Sequence, residues 1–184
     1  MEEFSDIVKK IMSTPTSPKE LFNIAGKRCN VFEYPEIKEF KKIDDLFAAG
    51  NSEIESQSDL PLPFDKKSAI ILYKSSPDFG HWTILKKVDG GYHFLDSYGD
   101  IIDSQLGHSD KSFNKLIGQD RNHLSKLLLK SGEDVYYNHN PLQKLDNEIA
   151  TCGLYCALFL KYNNLSVDDF AKMIKKLSKK NNLP

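Results

Sequence analysis

Residues 151–160 read Thr151-Cys152-Gly153-Leu154-Tyr155-Cys156-Ala157-Leu158-Phe159-Leu160 and contain no charged side chain. This composition predicts a helix that is buried on most of its surface. Cys152 would lie in the first turn, where unpaired N–H groups and the helix dipole favour the thiolate form of a cysteine. The alternative is that Cys152 and Cys156 are two small apolar residues of a core helix, since free cysteines are often buried.

Length and composition indicate the class of protein around this helix. The chain has 184 residues, which fits one domain with a sizeable core. The net charge is −1, so no overall positive charge points to nucleic acid. Three cysteines, an odd number, and no apolar N-terminal signal segment predict free thiols in a reducing compartment. No segment approaches the roughly 18 consecutive apolar residues of a membrane-spanning helix.

Residues 1–65 are expected to form a helical N-terminal region. Phe4, Ile7, Val8 and Ile11 have helical spacing, and a second helix is expected between the cap Ser17 and Gly26. A third helix is expected from about Pro35 to Gly50, with Ile37, Phe40, Ile43, Leu46 and Phe47 on one face. Residues 51–65 contain prolines and acidic residues and are interpreted as a loop.

In the core expected over residues 66–164, the spacing of apolar residues changes from that of helices to that of strands. Residues 68–74 form a nearly continuous apolar run, which indicates a strand buried on both faces. Residues 81–88 and 92–97 flank Asp89-Gly90-Gly91, a strong hairpin signal. With Asp89 and Gly90 as a two-residue loop, Asp96 would face Thr83 and lie diagonally from His81 on the same side, about 7 Å away. A three-residue loop would place the two on opposite sides. Without Cys152, they would be interpreted as a surface histidine and a turn aspartate.

The remaining elements complete the fold prediction. A helix is expected over residues 111–130, a strand over 133–138, and a loop over 139–151 that leads to Cys152. Ser166 is expected to cap a C-terminal helix over residues 165–184, whose lysines are interpreted as solvated surface rather than a binding patch. These lysines are Lys172, Lys175, Lys176, Lys179 and Lys180. The fold class is therefore α+β, with helices covering a central, mainly antiparallel sheet.

Four motifs carry a family resemblance through their order and spacing. They are Gly80-His81-Trp82, Leu95-Asp96-Ser97-Tyr98-Gly99, the glutamine Gln143, and the segment from Thr151 to Cys156. The set resembles the adenovirus maturation protease (adenain) and the wider clan of SUMO proteases. The nearest likeness is the capsid-maturation branch, which includes proteases of virophages, mavirus among them, and of Maverick/Polinton transposons. The resemblance covers about residues 68–160 and implies an adenain-like cysteine protease fold.

Carried to this sequence, the resemblance implies a catalytic set and an oxyanion hole. Cys152 would be the nucleophile, His81 the general base and then acid, and Asp96 the group that fixes the histidine tautomer. The backbone N–H of Cys152 and the Gln143 amide would be oxyanion-hole donors. Gln143 precedes Cys152 by a longer spacing than is usual in the family, so Asn147 or Asn140 remains an alternative. Trp82 would wall a narrow substrate groove that admits small residues, chiefly Gly, before the cut; the alternative is a core tryptophan.

The expected function is that of a cysteine endopeptidase that cleaves viral capsid or other structural precursors during virion maturation, in the virion and the host cell interior. Alternatives are a protease that acts on ubiquitin or SUMO conjugates of the host, and a catalytically silent binding or scaffold protein. No cofactor or metal is expected, because a zinc site of Cys152, Cys156 and His139 matches no common ligand spacing. Adenain is activated by a peptide from its own precursor substrate and by DNA. The resemblance does not decide whether this chain has either activator, and the sequence does not decide its oligomeric state.

Overall fold

A computed structural model describes residues 17–48, 60–143 and 151–181. Five strands form one sheet in the order β1-β2-β3-β4-β5. The outer pairs, β1-β2 and β4-β5, are parallel, whereas β2-β3 and β3-β4 are antiparallel. The α+β class is thus confirmed, but the sheet is mixed rather than mainly antiparallel. The elements are α1 (Pro18–Ala25), β1 (Arg28–Glu33), β2 (Phe64–Lys74), β3 (Gly80–Val88), β4 (Gly91–Asp96), α2 (Lys111–Ile117), α3 (His123–Ser131), β5 (Asp134–Tyr137), α4 (Cys152–Lys161) and α5 (Val167–Asn181), with 3-10 helices at Tyr34–Glu39, Ile43–Phe47 and Ser104–His108.

The sheet separates two hydrophobic clusters, and β2 contributes to both. Ile70 and Leu72 pack on the side that carries α1, α4 and α5. Ile71 and Tyr73 pack on the opposite side, against α3 and the first two 3-10 helices. Because successive side chains of a strand point to opposite faces, this continuous apolar run fills both layers. The expectation that residues 68–74 are buried on both faces is confirmed, although the strand begins earlier, at Phe64.

The hairpin adopts the first of the two registers that its sequence allows, the one with a two-residue loop. Val88 pairs with Gly91 and Thr83 pairs with Asp96, so Asp89 and Gly90 form a two-residue loop. Gly90 has φ +80, the left-handed conformation that such a tight hairpin turn requires. This parity places His81 and Asp96 on one face of the sheet.

The expected helical region at residues 1–65 needs correction. Residues 28–33 form the strand β1, which pairs with β2, so this region is not wholly helical. The single helix expected from Pro35 to Gly50 is two 3-10 helices, because Phe40 and Lys42 adopt extended backbone conformations between them. The Asp45 carboxylate accepts hydrogen bonds from the backbone N–H groups of Lys41 and Lys42 and stabilises this break. The helix expected at Phe4–Ile11, and most of the loop expected over 51–65, lie outside the described residues.

Two further helices were expected on the C-terminal side of the hairpin. The one over residues 111–130 is divided into α2 and α3, because Gly118 ends α2 in the left-handed conformation at φ +79. The C-terminal helix is α5, and the Ser166 hydroxyl accepts a hydrogen bond from the backbone N–H of Asp169 at its start. Its apolar side packs on the sheet, and its lysines are exposed. Of the helices described, none is long and apolar enough to cross a bilayer.

Candidate active site

The helix α4 places Cys152 at its first residue, in the interior of the protein. Residues 152–160 are all buried, as their uncharged composition predicts, and the helix packs on β3 and α1. The preceding residue, Thr151, makes no side-chain cap to the helix; its hydroxyl instead donates to Gln143 Oε1. The Cys152 residue is 6% exposed, so little of its surface reaches solvent.

His81 and Asp96 form a buried pair beside this helix. His81 Nε2 lies 2.8 Å from Asp96 Oδ1. Since Nε2 faces the carboxylate, Nδ1 is the ring nitrogen left for the Cys152 thiol, with which the imidazole also interacts. The structure therefore brings Cys152, His81 and Asp96 together in the order that a thiol, an imidazole and an orienting carboxylate need.

The Asp96 carboxylate is fully buried and hydrogen-bonded on both oxygens. Oδ1 also accepts from the backbone N–H of Tyr98 at 2.8 Å, and Oδ2 accepts from Gln105 Nε2 at 2.8 Å. The Asn138 side chain binds the backbone of Asp96 through both its oxygen and its nitrogen. These contacts let a carboxylate remain buried and fix its position relative to His81.

The contact between His81 and Cys152 favours the charged form of both side chains. Burial lowers the pKa of His81, but hydrogen bonds to Asp96 and Cys152 outweigh it and raise that pKa to about 9. Burial raises the pKa of the Cys152 thiol, but the His81 imidazole and the backbone N–H groups of Trp82 and Gly153 lower it below its ordinary value. Both shifts favour the imidazolium–thiolate pair over the neutral imidazole and thiol, and that pair is the reactive form of a cysteine beside a histidine.

Tyr98 covers the imidazole. Its ring stacks on His81 with the centroids 4.5 Å apart and the planes inclined by 14°. Burial raises the pKa of the Tyr98 hydroxyl, and the neighbouring Gln143 amide offsets part of that shift. The Tyr98 ring thus limits rotation of the His81 ring, and the Tyr98 hydroxyl lies near the Gln143 amide.

Gln143 contacts Thr151, the residue before Cys152, and its side-chain nitrogen has no hydrogen-bond acceptor among the described residues. The backbone N–H groups of Leu142 and Gln143 both donate to the carbonyl of Ser97, the residue after Asp96. These hydrogen bonds hold residues 142–143 close to Asp96. The Gln143 side-chain oxygen accepts from Thr151. The buried side-chain nitrogen of Gln143 lies near the Tyr98 hydroxyl, whose pKa the amide lowers, but has no acceptor in hydrogen-bond geometry within residues 17–48, 60–143 and 151–181. A buried N–H₂ group without an acceptor costs free energy, and such groups at a reactive centre are candidates for binding developing negative charge. Of the two alternative amides, Asn140 is exposed and Asn147 lies outside the described residues.

Trp82 belongs to the core as well as to the site. It is 9% exposed and packs in the same hydrophobic cluster as α4, while its backbone N–H contributes to the low pKa of Cys152. The other two cysteines, Cys29 and Cys156, are buried free thiols, and burial raises the pKa of Cys156 well above its ordinary value. Among the described residues, no group of three or more His, Cys, Asp or Glu side chains could hold a metal ion.

Three residues that contact Asp96 are not predicted as site residues from the sequence: Tyr98, Gln105 and Asn138. Tyr98 stands in the quoted Asp96–Gly99 motif, so its closeness to Asp96 was a usable signal. Gln105 and Asn138 come 9 and 42 residues after Asp96, and only the folded chain brings their amides to it.

Comparison with known proteins gives a distant relative and no matching family model. No protein-family model matches the chain. The chain is similar to a Sputnik virophage protein described as uncharacterized protein V9, with 27% identity over 156 residues that cover 84% of this chain and 80% of the relative. This similarity supports a virophage origin.

Proposed function

We propose that this protein is an adenain-like cysteine endopeptidase that cleaves capsid or other structural precursor proteins during virion maturation. The observation that carries the proposal is the buried set of Cys152, His81 and Asp96, with the thiol at the start of a helix and its pKa lowered by the imidazole. The virophage relative supports a viral setting. The enzyme would act in the virion and in the reducing interior of the host cell, where its thiols stay free.

The geometry supports acyl transfer in two steps. The Cys152 sulfur attacks a peptide carbonyl carbon, and the carbonyl electron pair moves to the oxygen. As the intermediate collapses, the C–N bond breaks and the His81 imidazolium gives its proton to the departing amine. Water then attacks the thioester while His81 takes its proton, which releases the acid product and the thiolate.

Two donors would hold the oxyanion in these steps. The backbone N–H of Cys152 stands at the first helical position, where a helix offers no internal acceptor. The second donor is the Gln143 side-chain nitrogen, which is buried and makes no hydrogen bond with the described residues. A donor already in place before the reaction stabilises the transition state without reorganisation.

The burial of the candidate site bears on the choice of substrates. His81 and Cys152 are each less than a tenth exposed, and the Tyr98 ring stacks on the imidazole. A peptide with small side chains near the cleaved bond would meet the least steric hindrance at such a buried thiol. We therefore propose substrates with small residues, chiefly Gly, before the cut.

The test is to co-express the chain, and separately its Cys152→Ala variant, with the structural proteins encoded beside its gene, and to map new termini by mass spectrometry. Termini after small residues that require Cys152 are expected. Absence of such termini, together with rapid Cys152-dependent cleavage of ubiquitin or SUMO fusions, would contradict the maturation role and favour a deconjugating protease.

Gln143→Ala is expected to lower kcat/KM on a peptide that spans a mapped cleavage site by about 100- to 1,000-fold, the usual cost of losing an oxyanion-hole donor. The rate of Cys152 alkylation by iodoacetamide is expected to stay within about threefold, because the His81 contact that lowers the thiol pKa is kept. Thr151→Val is the matched control: it removes the hydroxyl that orients the amide but leaves the N–H₂ group, and its loss should be smaller. Equal losses in both variants would contradict the donor role.

A further inference from the structure

A buried glutamine holds the side of Asp96 that faces away from His81. Gln105 Nε2 donates to Asp96 Oδ2 at 2.8 Å and to Asp100 Oδ2 at 3.2 Å. Gln105 is 6% exposed. Since an ionised carboxylate only accepts hydrogen bonds, the amide must present its nitrogen to both acids.

We propose that Gln105 is a positioning residue that fixes the plane of the Asp96 carboxylate and thereby holds the His81 imidazolium. This inference deepens the proposed function, because it concerns the charge of the same thiol and imidazole. The last torsion of an aspartate is broad, so one hydrogen bond does not fix the carboxylate. With Oδ1 bound to His81 and Tyr98 and Oδ2 bound to Gln105, a turn of the carboxylate would break contacts at both ends.

The 3-10 helix Ser104–His108 is anchored on both sides of Gln105. Asp103 precedes it at φ 67, which is uncommon for a residue other than glycine. Its carboxylate accepts from the Tyr73 hydroxyl and from the backbone N–H of Ser125, both at 2.9 Å. After Gln105, the Leu106 carbonyl accepts from Asn114 Nδ2 at 2.9 Å. The amide is therefore delivered to Asp96 from a fixed piece of backbone.

Gln105 also separates two acids. Asp96 is fully buried, whereas Asp100 is partly exposed and lies 3.4 Å from the His108 imidazole. Without the shared amide, Asp96 Oδ2 would face a second carboxylate with no donor between them, and their repulsion would turn Asp96 away from its contact with His81. The titratable groups that act on this arrangement come from β3, the loop after β4, the 3-10 helix and α4: His81, Tyr98, Asp100, His108 and Cys152.

The experiment uses the intact chain and measures the rate of Cys152 alkylation by iodoacetamide from pH 4 to 10. Fragment-ion mass spectrometry separates Cys152 from Cys156, which lies on the same tryptic peptide. The alkylation rate is expected to change at the pH where the His81 imidazolium loses its proton. In Gln105→Met, which keeps the size but lacks the donor, this change is expected about one pH unit lower. Gln105→Asn, one methylene shorter, is expected to move it in the same direction and guards against a failure of the Met variant to fold.

Gln119→Met is the matched control. Gln119 is also buried, but its amide binds the Lys74 backbone and Asn114 rather than Asp96. Its loss is expected to lower the melting temperature without changing the pH dependence of Cys152 alkylation. If the pH dependence of Cys152 alkylation is unchanged in Gln105→Met, or shifts equally in Gln119→Met, the positioning role is overturned. This readout needs no substrate, so it stands apart from a failure to find cleaved precursors.

Discussion

Cys152→Ala is expected to abolish cleavage of any mapped precursor site, with a loss of at least about ten-thousand-fold in kcat. The sulfur is the atom that would form the acyl intermediate, and the described residues place no second thiol against His81. Burial of the site should be retained, since alanine fills most of the space and is a good helix former. The measurement is turnover of a peptide that spans the mapped site, with far-ultraviolet circular dichroism to check the fold.

Cys156→Ala is the matched control for that experiment. Cys156 lies one helical turn further along α4, is equally buried, and its thiol pKa is raised rather than lowered. Its replacement should leave turnover within about threefold, because it changes packing only slightly. Loss of cleavage in both variants would indicate that α4 tolerates no change and would remove the support for Cys152 as nucleophile.

His81→Ala is expected to have the second largest effect. The imidazole makes the largest contribution to lowering the thiol pKa against the effect of burial, so its removal should raise the pKa of Cys152 by more than one unit. Each unit removes about tenfold of the thiolate present at neutral pH, so alkylation at pH 7 should fall more than about tenfold. Peptide turnover should fall by about ten-thousand-fold, because the general acid and base are lost as well.

His139→Ala is the control for the loss of a histidine. His139 is exposed in the loop after β5, and its ring contacts Tyr137 rather than the thiol. Its replacement should change neither alkylation nor turnover. An alkylation profile of His81→Ala that matches the unaltered protein would contradict the ion pair and favour a silent scaffold that keeps the fold.

The elements that sequence predicts best are those fixed by local chemistry. Asp89-Gly90 sets a two-residue turn, the turn sets the parity of the hairpin, and the parity places His81 and Asp96 on one face. In the same way, the uncharged run from Cys152 to Leu160 predicts a buried helix with the thiol at its start. The hairpin and the buried helix can be predicted without knowledge of the fold, because each depends only on a few residues that are neighbours in the sequence.

The elements that sequence reasoning missed depend on distant partners. Residues 28–33 include Arg28 and Asn30, and nothing local marks them as a strand until β2, more than thirty residues later, supplies hydrogen bonds. Asn30 is buried because its amide donates to two carbonyls, those of Leu46 and Ala48. The contacts of Gln105 and Asn138 to Asp96 are of the same kind. A buried polar group becomes predictable only when its partner is known.

The most direct test of the imidazolium–thiolate pair is the pH dependence of Cys152 alkylation in the unaltered protein. Two steps are expected in the rate. The first lies below the ordinary range of a thiol, where Cys152 loses its proton while His81 stays charged, and the second lies near pH 9, where the His81 imidazolium loses its proton. A single step in the ordinary range of a free thiol, with little reaction at pH 6, would contradict the ion pair and with it the proposed nucleophile.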